Sequence, residues 1–176
     1  SNPISFPQYE KRFITSDLFS SRSCYSEGKR IAETLCFNFH KINNLDVKIA
    51  RIFNAYGPRL KKDDGRVISN FINQALNNED LTIYGDGTQT RSFCYIEDIV
   101  KGLITFMNSK ENGPINFGYP VDISINDLAL IIKEKINPYV SLVHQKGLSD
   151  DPMKRIPSID KAIKLLNWHP KINLSM

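Results

Sequence analysis

Tyr25 and Lys29 stand four positions apart in the stretch "RSCYSEGKR", residues 22 to 30, at the head of a segment with helical spacing. On a helix, positions i and i+4 share one face about a turn apart, so the ammonium can sit beside the phenol. A phenol is a poor base at neutral pH, and an adjacent cation favours the phenolate. Tyr25 is thus a candidate acid/base for an alcohol or sugar hydroxyl. With 7 tyrosines and 15 lysines in the chain, the spacing also arises readily by chance, and an ordinary exposed helix turn stays open on this evidence. The other titratable groups point to less. His40, His144 and His169 share no metal-ligand spacing, and no metal is expected. The pairs Asp63-Asp64 and Asp150-Asp151 flank loops, where carboxylates cap or solvate. Cys24, Cys36 and Cys94 fit neither a zinc site nor a disulfide framework and read as small core residues, with Cys24 flagged for thiol reactivity. Asn173-Leu174-Ser175 is a formal glycosylation sequon at an expected cytosolic end and is discounted.

The elements that must carry these residues alternate. After an irregular stretch over residues 1–21, the stripe Ile31, Ala32, Leu35, Cys36 and Phe39 predicts an amphipathic helix from Tyr25 to about Asn43. "DVKIARIF", 46 to 53, predicts a strand closed by "NAYGP", and "GRVISNFINQAL", 65 to 76, a helix. "LTIYGDG" reads as strand and turn, and "RSFCYIEDIVKGLITFMN" as an extended piece entering a helix at about Glu97. "GPINFG" is a strand bounded by glycines. "SINDLALIIKEKI" is a helix with Ser124 as N-cap and Asp127 three residues on. "YVSLVH" is a strand, and "SIDKAIKLLNW" is a last helix capped by Ser158. Strands alternating with helices imply an α/β architecture with parallel pairing.

Bulk properties narrow the class. A chain of 176 residues, 41% hydrophobic, can bury one real core, since a domain near this size hides roughly 70% of its unfolded surface. The net charge of +4 is spread along the chain, without the dense basic block of a nucleic-acid arm. It suits a phosphate-bearing small molecule better than a duplex. No apolar run approaches the ~20 residues that span a bilayer, and the first residues lack the regions of a signal peptide. A soluble protein of the reducing cytoplasm is the expectation. No G-x-G-x-x-G or G-x-x-G-x-x-G occurs anywhere in the sequence. Either the chain binds no dinucleotide, or that half of a larger fold is not in it.

Several segments together carry a resemblance. "YSEGKRIAE", "ARIFNAYGPR", "DGRVISNFINQAL", "LTIYGDGTQTRSFCYIEDIVKGL", "INFG" and "DDPMKRIPSIDKAIKLLNWHP" are similar, in this order and spacing, to the C-terminal half of extended short-chain dehydrogenases of the NAD-dependent epimerase/dehydratase family. The Tyr-x-Glu-Gly-Lys-Arg helix is most like that of UDP-glucuronate decarboxylases (UDP-xylose synthases), with dTDP-glucose 4,6-dehydratases and UDP-sugar 4-epimerases less similar there. The resemblance implies a Rossmann-like parallel-sheet remnant plus a small α/β substrate-binding domain. Residues 22–176 would interleave Rossmann elements (about 22–56 and 97–119) with substrate-binding elements (about 57–96 and 120–176).

It also implies a chemistry. Tyr25 would take the C4 hydroxyl proton of a UDP-sugar as hydride passes to NAD, and Lys29 would hold the nicotinamide ribose. A 4-keto group turns the C5 carboxylate into that of a β-keto acid, which loses carbon dioxide. Asn54 stands where ligands of open α/β sheets gather, although it could equally organise the Tyr-Gly-Pro turn. Arg66, Arg91 and Arg155 are expected on the substrate, because a guanidinium fork matches phosphate oxygens; Arg91 counts among the catalytic residues too, and Arg59 is less certain. Tyr84 could stack on uracil or fill a core edge. The family's glycine fingerprint and its upstream catalytic residues find no counterpart in this sequence, so little turnover is expected of these 176 residues alone. A homodimer through the Tyr25 helix, and a non-catalytic UDP-sugar-binding fragment as an alternative role, complete the expectations.

Overall fold

The computed structural model describes residues 6–11, 23–147 and 151–174. The expected irregular character of residues 1–5 and 12–21, with Arg22, Asp150 and Ser175, lies outside the described residues. Helix α1 runs Ser23–Asn43, two residues longer at its start than the stripe predicts. Asn44 ends it with φ of 51°, the left-handed conformation common just past a helix. Of the apolar run 46–53, only Ala50–Ile52 pairs as strand β1, followed by the short β2, Ala55–Tyr56. Helix α2, Val67–Leu76, leads to β3, Leu81–Tyr84. The extended piece splits into β4, Thr90–Arg91, and β5, Cys94–Tyr95, before α3, Ile96–Met107. Then come β6, Ile115–Phe117, β7, Ile123–Ser124, and α4, Ile125–Ile136. Strand β8 is Leu142–Gln145, β9 is Lys154–Arg155, and α5 is Asp160–Leu166.

The expected parallel pairing is observed. β1 pairs with β6, β2 with β5, β3 with β8 and β4 with β9, all parallel, and only β7 joins β4 antiparallel among the described strands. The cap at Ser124 is as its sequence implies: Ser124 Oγ accepts from the Asp127 N–H at 3.0 Å and donates to Asp127 Oδ2 at 2.6 Å. Ser158 sits one residue further out than expected, since Ile159 takes the N-cap position. Its hydroxyl still accepts from Asp160 N–H at 3.3 Å. At the "GDG" turn Gly87 has φ of 74°, and a side chain there would run into the Asn126 amide, so the turn between β3 and β4 requires glycine.

Two apolar cores form. One gathers Phe71 and Ala75 of α2, Leu81 and Ile83 of β3, and Leu128 and Ile132 of α4. The other joins Ile99 and Phe106 of α3, Ile115 and Phe117 of β6, and Ala162 and Trp168. Phe117 lies 5.8 Å from the Phe106 ring and 5.0 Å from that of Trp168, and burying each such ring is worth roughly 1.5–3 kcal/mol. Of the cysteines only Cys94 is a core residue, its thiol pushed up to about 12 by burial first and by Asp98 second; Cys24 is exposed and Cys36 half-buried, because the helix that carries them buries nothing.

Two segments fasten the cores. Residues 6–11, expected as surface loop, are tied in: Gln8 N–H donates to Ile156 O at 2.8 Å, Ser158 N–H donates to Gln8 O at 3.0 Å, and Glu10 is buried. The chain after α5 crosses the other side. Trp168 Nε1 donates to Asp98 O, the Asp98 carboxylate accepts the N–H groups of Lys171 and Ile172 at 2.8 and 2.9 Å, and Tyr56 Oη donates to Asn173 O at 3.2 Å. Leu174 then packs on the first core. Asp98 is 2% exposed, so these bonds are what allow an acid there. Asp98→Ala is expected to cost about 2–4 kcal/mol in urea unfolding by stranding two N–H groups, with Asp98→Asn costing less; a loss under ~1 kcal/mol for alanine would mean water replaces the carboxylate.

Candidate active site

The side chains that could do chemistry lie in two places, the first on α1. Lys29 Nζ sits 5.6 Å from the centroid of the Tyr25 ring, as their spacing of one helical turn requires. Tyr25 is 64% exposed, and none of the helix's 21 residues is buried. A helix that buries no side chain of its own takes its direction from what it is tied to. That tie is an arginine inside the apolar strand β1. Arg51 Nε and Nη2 donate to Glu33 Oε1 and Oε2 at 2.7 and 2.6 Å, and Arg51 Nη1 donates to Glu10 O at 3.0 Å. The Glu33 hydrogen bond raises the Arg51 pKa further above its ordinary value, against the opposing effect of burial. Glu10 in turn accepts from Asn116 N–H, one strand over in β6. Sequence reading missed Arg51; its signal was a charged residue in a strand otherwise apolar, which demands a partner.

The second place is the sheet of β7, β4 and β9. Arg91 and Arg155 are register partners on parallel neighbours, as are Thr90 and Lys154. Arg91 is 9% exposed; its Nη1 donates to Thr90 O at 2.7 Å and its Nη2 to Asp151 Oδ1 at 2.5 Å. Asp151 therefore does more than solvate a loop, the role expected of its pair. Beside it, Asp122 accepts from Thr90 Oγ1 and lies 3.1 Å from Lys154 Nζ. Burial pushes the Asp122 carboxyl up, but the bonds from Thr90 and Lys154 outweigh it, and the net shift is downward. Asn54 belongs with this group: its Nδ2 donates to Ser92 O at 3.1 Å, and its carbonyl accepts from Cys94 N–H.

Arg66 and Tyr84 keep other company. Arg66 is held by a 3.0 Å ion contact with Asp64 that is not aligned as a hydrogen bond, and its side chain is 63% exposed. Tyr84 is half-exposed at the end of β3, where its carbonyl accepts from Gln89. A cleft of about 280 Å³ opens beside the Tyr-Gly-Pro turn, lined by Tyr56, Arg59, Lys62, Ile72, Asn73 and Tyr95 among others. The phenol of Tyr56 is pushed up to about 12, by burial first and then by nearby Cys94 and Tyr95. None of the seven expected site residues lines this cleft, which is small for a nucleotide sugar. Among the described residues no cluster of His, Cys, Asp or Glu could hold a metal ion, and no helix is long and apolar enough to cross a membrane.

Removing the Arg51 fork frees α1 without opening the cores. In Arg51→Met, amide exchange across 23–43 is expected to quicken by about 10- to 100-fold, the equivalent of one lost charged hydrogen-bond pair. Amides at Phe71 and Phe117 should barely change. Uniform acceleration in both regions, or none in α1, would contradict this role for Arg51.

Comparison with known proteins adds the lineage. The model of the NAD dependent epimerase/dehydratase family matches residues 4–119. UDP-glucuronic acid decarboxylase 3 of Arabidopsis thaliana is 49% identical over 173 residues, covering 98% of this chain and 51% of that protein. UDP-glucuronic acid decarboxylase 1 of Xenopus tropicalis is 44% identical over the same share of this chain and 41% of its own length. The chain spans about half the length of the curated relatives it matches, or less. Among solved structures, UDP-glucose 4-epimerase of Thermotoga maritima with UDP-glucose superposes at a TM-score of 0.91, with 27% identity over 99% of this chain and 55% of the other. UDP-glucuronic acid 4-epimerase of Bacillus cereus, in complex with UDP-glucuronic acid and NAD, gives 0.79, with 32% identity over 94% and 54%. Parallel pairing, alternating elements and these matches together place the chain in the NAD-dependent epimerase/dehydratase family of the short-chain dehydrogenase fold.

Proposed function

We propose that this chain is the proton-transfer and substrate-binding portion of an NAD-dependent nucleotide-sugar lyase that converts UDP-glucuronate to UDP-xylose. The observation that carries the reading is the Tyr25–Lys29 pair, poised one turn apart on an exposed face, in a chain 49% identical to a UDP-glucuronic acid decarboxylase. Tyr25 Oη takes the proton of the sugar C4 hydroxyl and later returns it to the C4 oxygen. The Lys29 ammonium, within reach of the phenol, suits a ribose hydroxyl of the cofactor equally well, so both residues fit NAD binding. NAD, when bound, supplies the acceptor for the C4 hydride and gives it back at the end. Between those steps the C4 ketone accepts the electron pair released as the C5 carboxylate leaves as carbon dioxide, and the resulting enolate takes a proton from water at C5, which restores the ketone.

The arginines divide the other work in this reading. Arg91 and Arg155, side by side on β4 and β9, face the diphosphate or the sugar carboxylate, and Arg66 closes on the nucleotide. Asn54 orients the sugar from the end of β1 and Tyr84 stacks on uracil. The two cores support a division into a Rossmann part and a substrate part. Ile31, Leu35 and Phe39, each more than half exposed on α1, suit a homodimer through that helix. A cytoplasmic location belongs to the same reading. A 4-epimerase or 4,6-dehydratase shares the first oxidation, and the solved epimerases favour it as the second reading.

The test is a chimera in which the remaining half of the Arabidopsis thaliana decarboxylase is fused ahead of this chain. UDP-xylose should form from UDP-glucuronate, and Tyr25→Phe should lower kcat by about 10²–10⁴-fold while the chimera stays folded. The 176 residues alone should release no detectable carbon dioxide. Epimerised product without carbon dioxide would transfer the assignment to the second reading; full activity in Tyr25→Phe would remove the proposed base.

A further inference from the structure

Arg91 and Arg155 occupy matched positions on adjacent parallel strands. Register partners project from the same face of a sheet with their Cα atoms about 4.8 Å apart, so two guanidinium groups there need an anion close by. Asp151 supplies one. Its Oδ1 takes the Arg91 Nη2 hydrogen at 2.5 Å, while Nη1 is fixed on the carbonyl of Thr90. The second acid of the sheet, Asp122, is already engaged by Lys154 and Thr90. The Arg91–Asp151 pair is lopsided in its exposure, with 11% of the arginine side chain open to solvent against 33% of the aspartate. The carboxylate can turn out to water at little cost, whereas the guanidinium would lose its bonds in a buried setting.

We propose that Asp151 is a built-in counter-ion that holds Arg91 in the free protein and competes with the anionic group of the ligand, a nucleoside diphosphate. This rests on the reading of Arg91 as a substrate-side residue. A diphosphate arriving at Arg91 with the carboxylate still in place brings like charges into contact, so binding must either expel Asp151 or lose affinity. The opposite role, in which Asp151 merely orients Arg91 for the ligand, predicts the reverse effect of neutralisation. Asparagine separates the two. It keeps an oxygen that can accept from Nη2 and removes the charge, so orientation survives and competition does not.

The experiment is calorimetric titration of UDP into the full 176-residue chain at one fixed moderate salt concentration, with thermal melts confirming that each variant folds. Asp151→Asn should bind UDP about five- to tenfold more tightly than the unsubstituted chain, the gain expected for removing one competing ion pair. Glu97→Gln removes an equal charge at an exposed position on α3 and should change affinity by less than about twofold. Should Asp151→Asn fail to fold, Asp151→Ser is read in the same way. Arg91→Lys tells failures apart. If it binds UDP as the unsubstituted chain does, Arg91 is not at the ligand and the earlier reading falls with this one. If Arg91→Lys weakens binding while Asp151→Asn leaves it unchanged or weaker, only the counter-ion role is overturned. Binding that is measurable only in Asp151→Asn supports the proposal, and no UDP binding by any variant overturns both.

Discussion

Among the described residues, the guanidinium of Arg51 ties the helix of the candidate catalytic pair to the strands of the sheet. It is fixed in the backbone by β1, whose register with β6 sets Arg51 opposite Asn116. Its fork grips Glu33 on α1 with two charge-assisted bonds and its remaining nitrogen holds the carbonyl of Glu10, while the Glu10 side chain returns to Asn116. The ring so formed ties α1 and the stretch around Glu10 to β1 and β6, whose Ala50, Ile115 and Phe117 meet in the second core. Since α1 buries none of its own residues, this polar ring does for the helix what a hydrophobic face does elsewhere.

The second cluster obeys a different constraint. Cations placed in register on neighbouring strands repel unless acids lie close by, and at the sheet of β4, β7 and β9 Asp151 takes Arg91 while Asp122 takes Lys154. What brings them there is local. The "GDG" turn reverses the chain between β3 and β4, and Gly87 leaves room for the Asn126 amide at the start of α4. Asn54 then links the end of β1 to Ser92, next to Arg91, so the two sheets share one polar seam. Beyond it, the chain after α5 runs from Trp168 to Leu174 over both cores, pinned by the buried carboxylate of Asp98.

The chain keeps a good deal of apolar surface exposed, most of all along α1. Ile31, Leu35 and Phe39 of α1 are each more than half exposed, and among the described residues β1 pairs on one side only, with β6. The closeness of Tyr25 to Lys29 itself follows from the geometry of one helical turn.

The sequence by itself determined whatever depends on neighbours a few residues away. Helical stripes, the Ser124–Asp127 cap, the glycine turn and the closeness of Tyr25 to Lys29 all follow from backbone periods that no distant contact can alter. The resemblance of ordered motifs carried the family and the parallel α/β class as well. Tertiary structure alone decided the rest. Strand extents depended on partners, so a run of eight apolar-rich residues became a three-residue strand. The Cys94 thiol was buried and the other two were not, because burial belongs to the packing of whole elements. Most of all, the pairings of Arg51 with Glu33 and of Arg91 with Asp151, and the closing of Asp98 on residues 171 and 172, join positions 18, 60 and over 70 residues apart. Charge attraction acts through space and leaves no period in the chain, so those partners became visible only once the fold had brought them together.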